Sequence, residues 1–281
     1  AGTVFAGNNE MALVLAMLVP LIRYLHLQEP RKWVRTGLAS AMVLSGIAAI
    51  GSQSRGGLLA MAAMGTFLWL KSRQKMAIGF YIVLAVGAVH LIMPQSWYDR
   101  MYTIQTYQED PSALGRINAW HTAFNVAKDR VTGGGFELFR APTFRQYAPE
   151  PFRVHDVHSI YFEVMGEHGF IGLAMFLLLA LFTWLRANQV IRECKHDPAR
   201  KWAADLAAMI QVSLVGYGVG GAFLGLAYFD LAYHMMIMLI LAAKFTGVLG
   251  NKPMFAAQPA AGSPLPHPSS RFDQGGAGWR A

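Results

Sequence analysis

The segment FIGLAMFLLLALFTWL at residues 170–185 contains no charged side chain and is almost entirely apolar. With its flanking residues, it reaches the roughly 20 residues that a helix needs to cross a hydrocarbon core about 30 Å thick. In lipid, every backbone N–H and C=O must be paired within the protein, so a helix is the expected form. The segment therefore predicts a membrane-spanning helix over residues 163–185.

Further apolar stretches of similar length occur on both sides of this segment. The predicted spans are 10–28, 34–52, 55–71, 76–93, 163–185, 203–224 and 229–246. The chain of 281 residues is 54% hydrophobic and only 14% charged, whereas a typical soluble domain is about 25% charged. We therefore predict an all-α fold, a polytopic membrane helix bundle with about seven spanning helices.

Basic residues collect in alternate short loops between the predicted spans. They are Arg31, Lys32 and Arg35, then Lys71, Arg73 and Lys75, then Arg186, Arg192, Lys195, Arg200 and Lys201. Loops 52–54 and 225–228 have none. Because Lys and Arg favour the cytoplasmic side, the chain is predicted to start outside and end inside. The net charge of +8 is explained by this topology, and nucleic acid is not an expected partner.

The predicted spans divide the chain into four regions. Residues 1–93 carry the first four spans, 94–162 form a long external loop, 163–246 carry the last three spans, and 247–281 form a disordered cytoplasmic tail. A loop this long is usually functional or disordered, and its aromatic residues argue against disorder. The chain begins at Ala1 and not at a methionine, so we expect upstream sequence to be missing.

An arginine stands at the outer end of the third predicted span, within Ser54-Arg55-Gly56-Gly57. A charged side chain near lipid is costly and usually faces a cavity or a partner. In one interpretation, Arg55 extends along its apolar stem to the lipid headgroups. In the other, its guanidinium binds phosphate oxygens in a bidentate fork. The glycines favour the second, because they allow close approach of a ligand or another helix.

Arg116 follows Gly115 in the external loop, at the start of a predicted amphipathic helix. The expected apolar face of this helix consists of Ile117, Trp120 and Phe124. A cation in the first helical turn is unfavourable for the helix dipole, so another interaction should compensate for it. Both a phosphate contact and an ion pair with Glu109 or Asp110 remain open. Further along, the glycines at 133–135 are interpreted as a loop bend, since no Gly-Lys-Ser/Thr follows them.

The richest polar segment runs into the fifth predicted span. Its titratable residues are His155, Asp156, His158, Glu163, Glu167 and His168. Histidine changes protonation near neutral pH and is the commonest general base. The two histidines three residues apart could also form half of a zinc site, but no third convincing ligand accompanies them, so no metal is expected. Helix capping by Asp156 beside hydrogen-bonded histidines is the structural alternative.

These motifs together resemble the O-antigen ligase and polymerase superfamily. The strings MYTIQTYQEDPSALGRINAWHTAFNVAKDR at 101–130, GGGFELFR at 133–140 and VHDVHSIYFEVMGEHGFIGL at 154–173 look like the O-glycosylation ligases associated with the exosortase A system. The string AADLAAMIQVSLVGYGVGGAFLGLAYFD at 203–230 looks like that subfamily too. The resemblance runs from about residue 7 to residue 246.

The resemblance implies a multi-pass enzyme of the bacterial inner membrane whose active site faces the periplasm. Such an enzyme transfers a polyprenyl-diphosphate-linked oligo- or polysaccharide to an acceptor hydroxyl on a lipid, protein or polysaccharide. The transfer is expected to invert the sugar and to need neither metal nor cofactor, and membrane lipid surrounds the protein. The resemblance assigns the diphosphate to Arg55 and Arg116 and catalysis to His158. The supporting candidates are His155, Asp156, Glu163, Glu167 and His168.

Two alternative functions remain open at this point. A polysaccharide polymerase of the same superfamily shares the donor chemistry but uses a growing lipid-linked chain as acceptor. A transporter or flippase of lipid-linked glycans would use the arginines only to guide an anion. Transporters often contain inverted repeats and helices broken near the membrane midplane, and the sequence shows neither clearly.

Overall fold

The computed structural model describes residues 7–72, 74–92, 95, 98 and 111–250. Its helices are α1 (Asn8–Gln28), α2 (Lys32–Gly51), α3 (Arg55–Lys71), α4 (Lys75–Ile92), α5 (Pro111–Asp129), α6 (Ala141–Tyr147), α7 (Ile160–Cys194), α8 (Lys201–Gly220), the 3-10 turn Gly221–Phe223, and α9 (Asp230–Phe245). Within these ranges no strand occurs, so the all-α prediction is confirmed for them. From residue 251 onward, the predicted disordered tail lies outside the described residues.

Four helical stretches are long and apolar enough to cross a membrane. They are α1, α2, α7 and the stretch Lys201–Phe223. Helices α3 and α9 have 17 and 16 residues, which at 1.5 Å per residue is about 25 Å of helix, less than the roughly 30 Å of a hydrocarbon core. Helix α4 contains a shorter apolar stretch, Lys75–Leu84. Crossing by α3, α4 and α9 therefore stays a prediction.

Helix α8 packs against α1 and α3 through two glycines. A methyl group on Gly220 would lie 2.6 Å from Cδ1 of Leu13 and 3.0 Å from Cβ of Ala60, and one on Gly216 would meet the sulfur of Met64. Glycines four residues apart share one face of a helix and allow neighbouring backbones to approach closely. This close packing determines the spacing of α1, α3 and α8.

The contacts continue to one end of the bundle. A methyl group on Gly57 would lie 2.7 Å from Cβ of Ala12, near the starts of α3 and α1. A methyl group on Gly221 would lie 2.8 Å from Cδ1 of Ile160, the first residue of α7. The starts of α1, α3 and α7 therefore meet the end of α8. We call this the site end of the bundle.

Helix α7 is broken at Gly169, whose φ of 67° and ψ of −167° are not helical. A methyl group at this glycine would collide with the carbonyl oxygen of Val131. The part after the break, residues 170–194, is roughly 37 Å long at 1.5 Å per residue and is sufficient to cross a bilayer alone. The part before the break, residues 160–168, is therefore not needed for the crossing.

Helix α5 packs against this first part of α7, but with a different face from the predicted one. Its buried residues are Gly115, Asn118, Ala119, Thr122, Ala123, Val126 and Ala127. Of the predicted apolar face, Phe124 is 43% exposed, and Trp120 is half-buried and stacks on Phe162 with ring centroids 5.0 Å apart. The sequence therefore predicted the wrong face of α5 as the buried one. Small side chains form the contact because they allow the two backbones to approach, and the bulky side chains lie beside it.

Arg116 lies further along α5 than the sequence predicted. The helix begins at Pro111, so Arg116 lies beyond the first turn, where the helix dipole acts most strongly. The proposed ion-pair partners Glu109 and Asp110 lie outside the described residues. The helix dipole therefore does not require a compensating interaction for Arg116.

We expect the Gly220→Ala substitution to destabilise the bundle by about 1–3 kcal/mol, because the added methyl group must displace Leu13 and Ala60. Gly46→Ala is the matched control, since nothing lies within 4 Å of a methyl group at that position. The measurement is the thermal unfolding midpoint of each variant in detergent. A midpoint for Gly220→Ala at or above that of Gly46→Ala would contradict the packing argument.

Candidate active site

His158 stands two residues before α7 in an unusual backbone conformation. Its φ of 41° lies in the left-handed region, which residues with a side chain rarely adopt. Its neighbours Val157 and Ser159 are each 1% exposed, and the Nε1–H of Trp120 donates to the carbonyl of Val157 (2.8 Å). The buried flanks hold the strained backbone in place. The His158 side chain itself remains 29% exposed.

Asp156 and His155 lie beside the His158 ring. The Nδ1 of His158 is 3.6 Å from Oδ2 of Asp156, too far for a good hydrogen bond but close enough for their charges to interact. The rings of His155 and His158 meet edge to face with centroids 5.4 Å apart. A methyl group on Gly115 would lie 2.6 Å from Cδ2 of His155. Glycine at 115 therefore makes room for the His155 ring and brings Arg116 near the histidine pair.

The electrostatic surroundings favour a neutral His158. Burial lowers the pKa of His158 below its usual value, and electrostatic interactions with Arg116 and His155 lower it further. The negative charges of Asp156 and Glu10 raise this pKa but do not cancel the decrease. A neutral imidazole at pH 7 can accept a proton from a hydroxyl group. The structure thus brings together a candidate base and a cation carried by different segments.

Arg55 is the first residue of α3 and lies at the site end. Ser54 caps this helix, because its hydroxyl accepts a hydrogen bond from the N–H of Gly57 (3.0 Å). The capping serine and the tightly packed Gly57 therefore have structural roles in this motif. Binding of one diphosphate by Arg55 together with Arg116 stays a prediction.

Glu163 joins α7 to the connection between α8 and α9. Its Oε2 accepts a hydrogen bond from the N–H of Ala227 (3.1 Å), a residue that is 0% exposed. A methyl group on Gly225 would lie 3.5 Å from Oδ2 of Asp156 and 3.7 Å from Oε2 of Glu163. Both carboxylates therefore line the same short stretch of chain.

Glu167 and His168 belong to a neighbouring hydrogen-bonded network. The Oε1 of Glu167 accepts from the N–H of Glu137 (3.0 Å), and its Oε2 accepts from the hydroxyl of Tyr228 (2.6 Å). The Nε2 of His168 lies 2.9 Å from the same hydroxyl. Burial and the hydrogen bond to Glu167 raise the pKa of Tyr228, so its hydroxyl remains a donor. These hydrogen bonds link α7 to two loops and do not include His158.

The three glycines at 133–135 support the break in α7. The N–H groups of Gly134 and Gly135 donate to the carbonyls of Gly166 and Glu167 (both 2.9 Å). These carbonyls precede the break and would otherwise lack helical partners. Gly133 has a φ of 78°, a conformation that glycine adopts without strain. The glycine run is therefore a bend that caps the first part of α7.

The histidine pair alone cannot form a zinc site. Such a site needs three or four ligands around one point. Among the residues that the structure describes, no group of three His, Cys, Asp or Glu side chains has this arrangement.

The connection 224–229 is part of the site, although the sequence predicts only a short loop there. The hydroxyl of Tyr217 donates to the carbonyl of Leu226 (2.9 Å), and the hydroxyl of Tyr233 donates to the carbonyl of Ala227 (2.7 Å). The sequence signal for these contacts was the presence of Tyr217 and Tyr233, which have polar hydroxyls, in otherwise apolar helices. Their partners are backbone carbonyls, which no side-chain pattern identifies.

We expect Glu163→Ala to destabilise the protein by about 1–3 kcal/mol, because the buried N–H of Ala227 would lose its acceptor. Glu163→Gln is the matched control, since its amide oxygen can accept the same hydrogen bond. The unfolding midpoint in detergent is compared for the two variants. An equal decrease in both would show that the hydrogen bond to Ala227 is not the stabilising interaction.

The comparison with known protein families gives a match for the central part of the chain. Residues 40–177 match the model of a family described as O-Antigen ligase. The matched segment contains Arg55, Arg116, His155, Asp156, His158, Glu163, Glu167 and His168. No curated protein matches the chain. The family match and the apolar helices support a membrane protein of the O-antigen ligase and polymerase superfamily.

Proposed function

We propose that the chain is a membrane glycan ligase that transfers a polyprenyl-diphosphate-linked glycan to an acceptor hydroxyl. The observation that carries this proposal is the convergence of Arg116, Asp156 and a neutral His158 within the segment that matches the family. A base close to a cation suits a reaction that removes a proton from a nucleophile and releases an anion. The distribution of basic residues among the loops supports a reaction on the periplasmic side of the inner membrane.

In the proposed reaction, the acceptor oxygen attacks the anomeric carbon of the donor sugar on the face opposite the diphosphate. His158 takes the hydroxyl proton on Nε2, while its Nδ1 lies on the side of Asp156. The bond between the anomeric carbon and the diphosphate oxygen breaks, and its electron pair leaves with the polyprenyl diphosphate. Attack from the opposite face inverts the anomeric centre, and the step uses no metal or cofactor.

Arg55 and Arg116 are the proposed ligands of the diphosphate. A charge contact at about 4 Å in an effective dielectric near 20 contributes on the order of 4 kcal/mol before desolvation. Two guanidinium groups suit a diphosphate, because its charge exceeds what one can offset. A positioned base such as His158 contributes a further factor of roughly 10²–10⁴ in rate. We assign positioning of His158 to its neighbours His155 and Asp156.

The nature of the acceptor separates the ligase from its alternatives. A polymerase would extend a second lipid-linked glycan, and a flippase would move the donor without forming a glycosidic bond. Membership of the subgroup associated with the exosortase A system is part of the proposal and leaves lipid, protein and polysaccharide acceptors open. The experiment incubates the membrane protein with lipid-linked glycan and each acceptor class and identifies products by mass spectrometry. Donor consumption without a new glycosidic bond would contradict the ligase.

We expect His158→Asn to reduce single-turnover transfer by roughly 10²–10⁴-fold and to leave donor binding nearly unchanged. Asparagine tolerates the left-handed φ of 41° at this position, so the backbone should be preserved. His155→Asn should have a smaller effect, because His155 only flanks the reacting ring. The measurements are binding of the lipid-linked donor and transfer in one turnover.

The control for this comparison is His121→Asn, an exposed histidine on α5. It should leave both donor binding and transfer at the wild-type level. Near-normal transfer by folded His158→Asn would exclude His158 as the base.

The pH dependence of transfer provides a separate test of His158. A protonated histidine cannot act as a base, so transfer should fall only when the pH drops through its lowered pKa. Asp156→Asn removes a charge that raises this pKa, so the acid limb of the kcat/KM profile should move to lower pH. Asp129→Asn, at the far end of α5, is the control and should cause no movement. A displacement of the Asp156→Asn limb to higher pH would contradict the assignment.

A further inference from the structure

Gly225 lies next to the candidate base, and the fold does not require glycine there. Its φ lies outside the left-handed region, unlike those of Gly133 and Gly169. A methyl group on Gly225 would meet its nearest atoms at 3.5–3.9 Å, which is ordinary van der Waals contact. A methyl group on Gly220, by contrast, would approach Leu13 to 2.6 Å. Neither backbone strain nor crowding therefore explains the absence of a side chain at 225.

The missing side chain leaves a space that we call the Gly225 notch. Its nearest groups are Oδ2 of Asp156 at 3.5 Å, Oε2 of Glu163 at 3.7 Å and Cα of His158 at 3.9 Å from the position of the absent methyl group. Gly225 itself is partly exposed, so the notch can be reached from outside the protein. The space is bounded by two carboxylates and by the residue that we propose as the base.

The walls of the notch are held in place by hydrogen bonds. Glu163 accepts from the N–H of Ala227, and the hydroxyls of Tyr217 and Tyr233 donate to backbone carbonyls of the same connection. On the other side, Oδ1 of Asp156 accepts from the N–H of Val157 (2.8 Å). A space formed by such fixed groups is available before a ligand arrives, which reduces the cost of ordering on binding.

The chemistry of the walls selects a ligand with hydroxyl groups. The carboxylate of Asp156 accepts hydrogen bonds, and burial raises the pKa of Glu163 to about 7, so its carboxyl group can accept or donate one. A sugar offers adjacent hydroxyls, which can pair with both groups. The negative charge of Asp156 repels a diphosphate, which suits the arginines on α3 and α5 better. The notch therefore differs in charge from the proposed donor site, although both lie at the site end.

We infer that the Gly225 notch receives the acceptor sugar, with one hydroxyl at His158 and a neighbouring hydroxyl at the carboxylates of Asp156 and Glu163. Gly225 is then a specificity-determining residue, because a side chain at this position would occupy the space of the second hydroxyl. This inference rests on the proposed ligase function and adds that the acceptor at this site is a carbohydrate.

The test compares Gly225→Ala and Gly225→Val with the wild type, using p-nitrophenyl hexosides as acceptor probes and lipid-linked glycan as donor. The KM for the hexoside should rise about tenfold or more with the first substitution and further with the second. The KM for the donor and the kcat at saturating hexoside should change little. Gly46→Ala and Gly46→Val are the matched controls, since that position opens onto empty space.

A binding measurement makes the inference independent of turnover. Saturation-transfer NMR without donor should detect hexosides on the wild type and weaker binding to Gly225→Val. Analogues that lack the hydroxyl beside the reacting one should bind the wild type as weakly as the complete hexoside binds the variant. Unfolding midpoints of both variants verify folding, and Gly225→Ala remains informative if the valine is not tolerated.

The outcomes separate this inference from the proposed function. Unchanged hexoside binding and KM in Gly225→Ala would overturn the acceptor notch. Transfer by the wild type to a serine peptide, with hexosides neither binding nor reacting, would also overturn the notch but retain the ligase. Hexoside binding without transfer to any acceptor class would contradict the ligase and retain the notch as a sugar site.

Discussion

The carbonyl of Val131 packed against Gly169 divides α7 into two parts with different surroundings. A continuous helix of 35 residues would be roughly 52 Å long, far more than a bilayer needs. The break lets the second part serve as an apolar span and the first part carry polar side chains. Since N–H groups of Gly134 and Gly135 bind the carbonyls before the break, the interrupted backbone keeps its hydrogen bonds.

The first part of α7 then acts as the shared support for the site. Helix α5 covers it with small residues, and Trp120 stacks on Phe162 while holding the carbonyl of Val157. Glu163 and Glu167 of the same part accept hydrogen bonds from the connection that leads into α9. These interactions hold the residues before and after His158 in place, which explains how its left-handed backbone conformation is maintained.

Charge is distributed unevenly among the elements of the site. The arginines stand on α3 and α5, whereas the carboxylates stand on α7 and just before it. Burial and the nearby cation keep His158 neutral, and the carboxylates face the connection at Gly225. A cation and carboxyl groups near one base suit a reaction between an anionic donor and a hydroxyl-rich acceptor.

The class of the protein could be predicted from the sequence because length and apolarity of a helix are local properties. Helices were found where spans were predicted, whereas the crossing of the membrane by seven of them and the roles of the site residues stay predictions. The sequence predicted the wrong face of α5 as the buried one, because the packing of small residues depends on the partner helix. Lys71 was predicted to lie in a loop, but it is the last residue of α3 and donates a hydrogen bond to Gln211 of α8 (2.9 Å). This contact also depends on how the two helices pack.

By itself, the sequence determined an all-helical membrane protein with a polar segment before one apolar span, because these features follow from residue type and spacing. Only the tertiary structure decided which groups surround His158. The break at Gly169, the contact of Gly115 with His155 and the approach of Gly225 to two carboxylates all depend on segments distant in the chain. The hydrogen bond from Ala227 to Glu163 joins residues 64 positions apart. Such contacts arise when helices pack, and no local pattern encodes them.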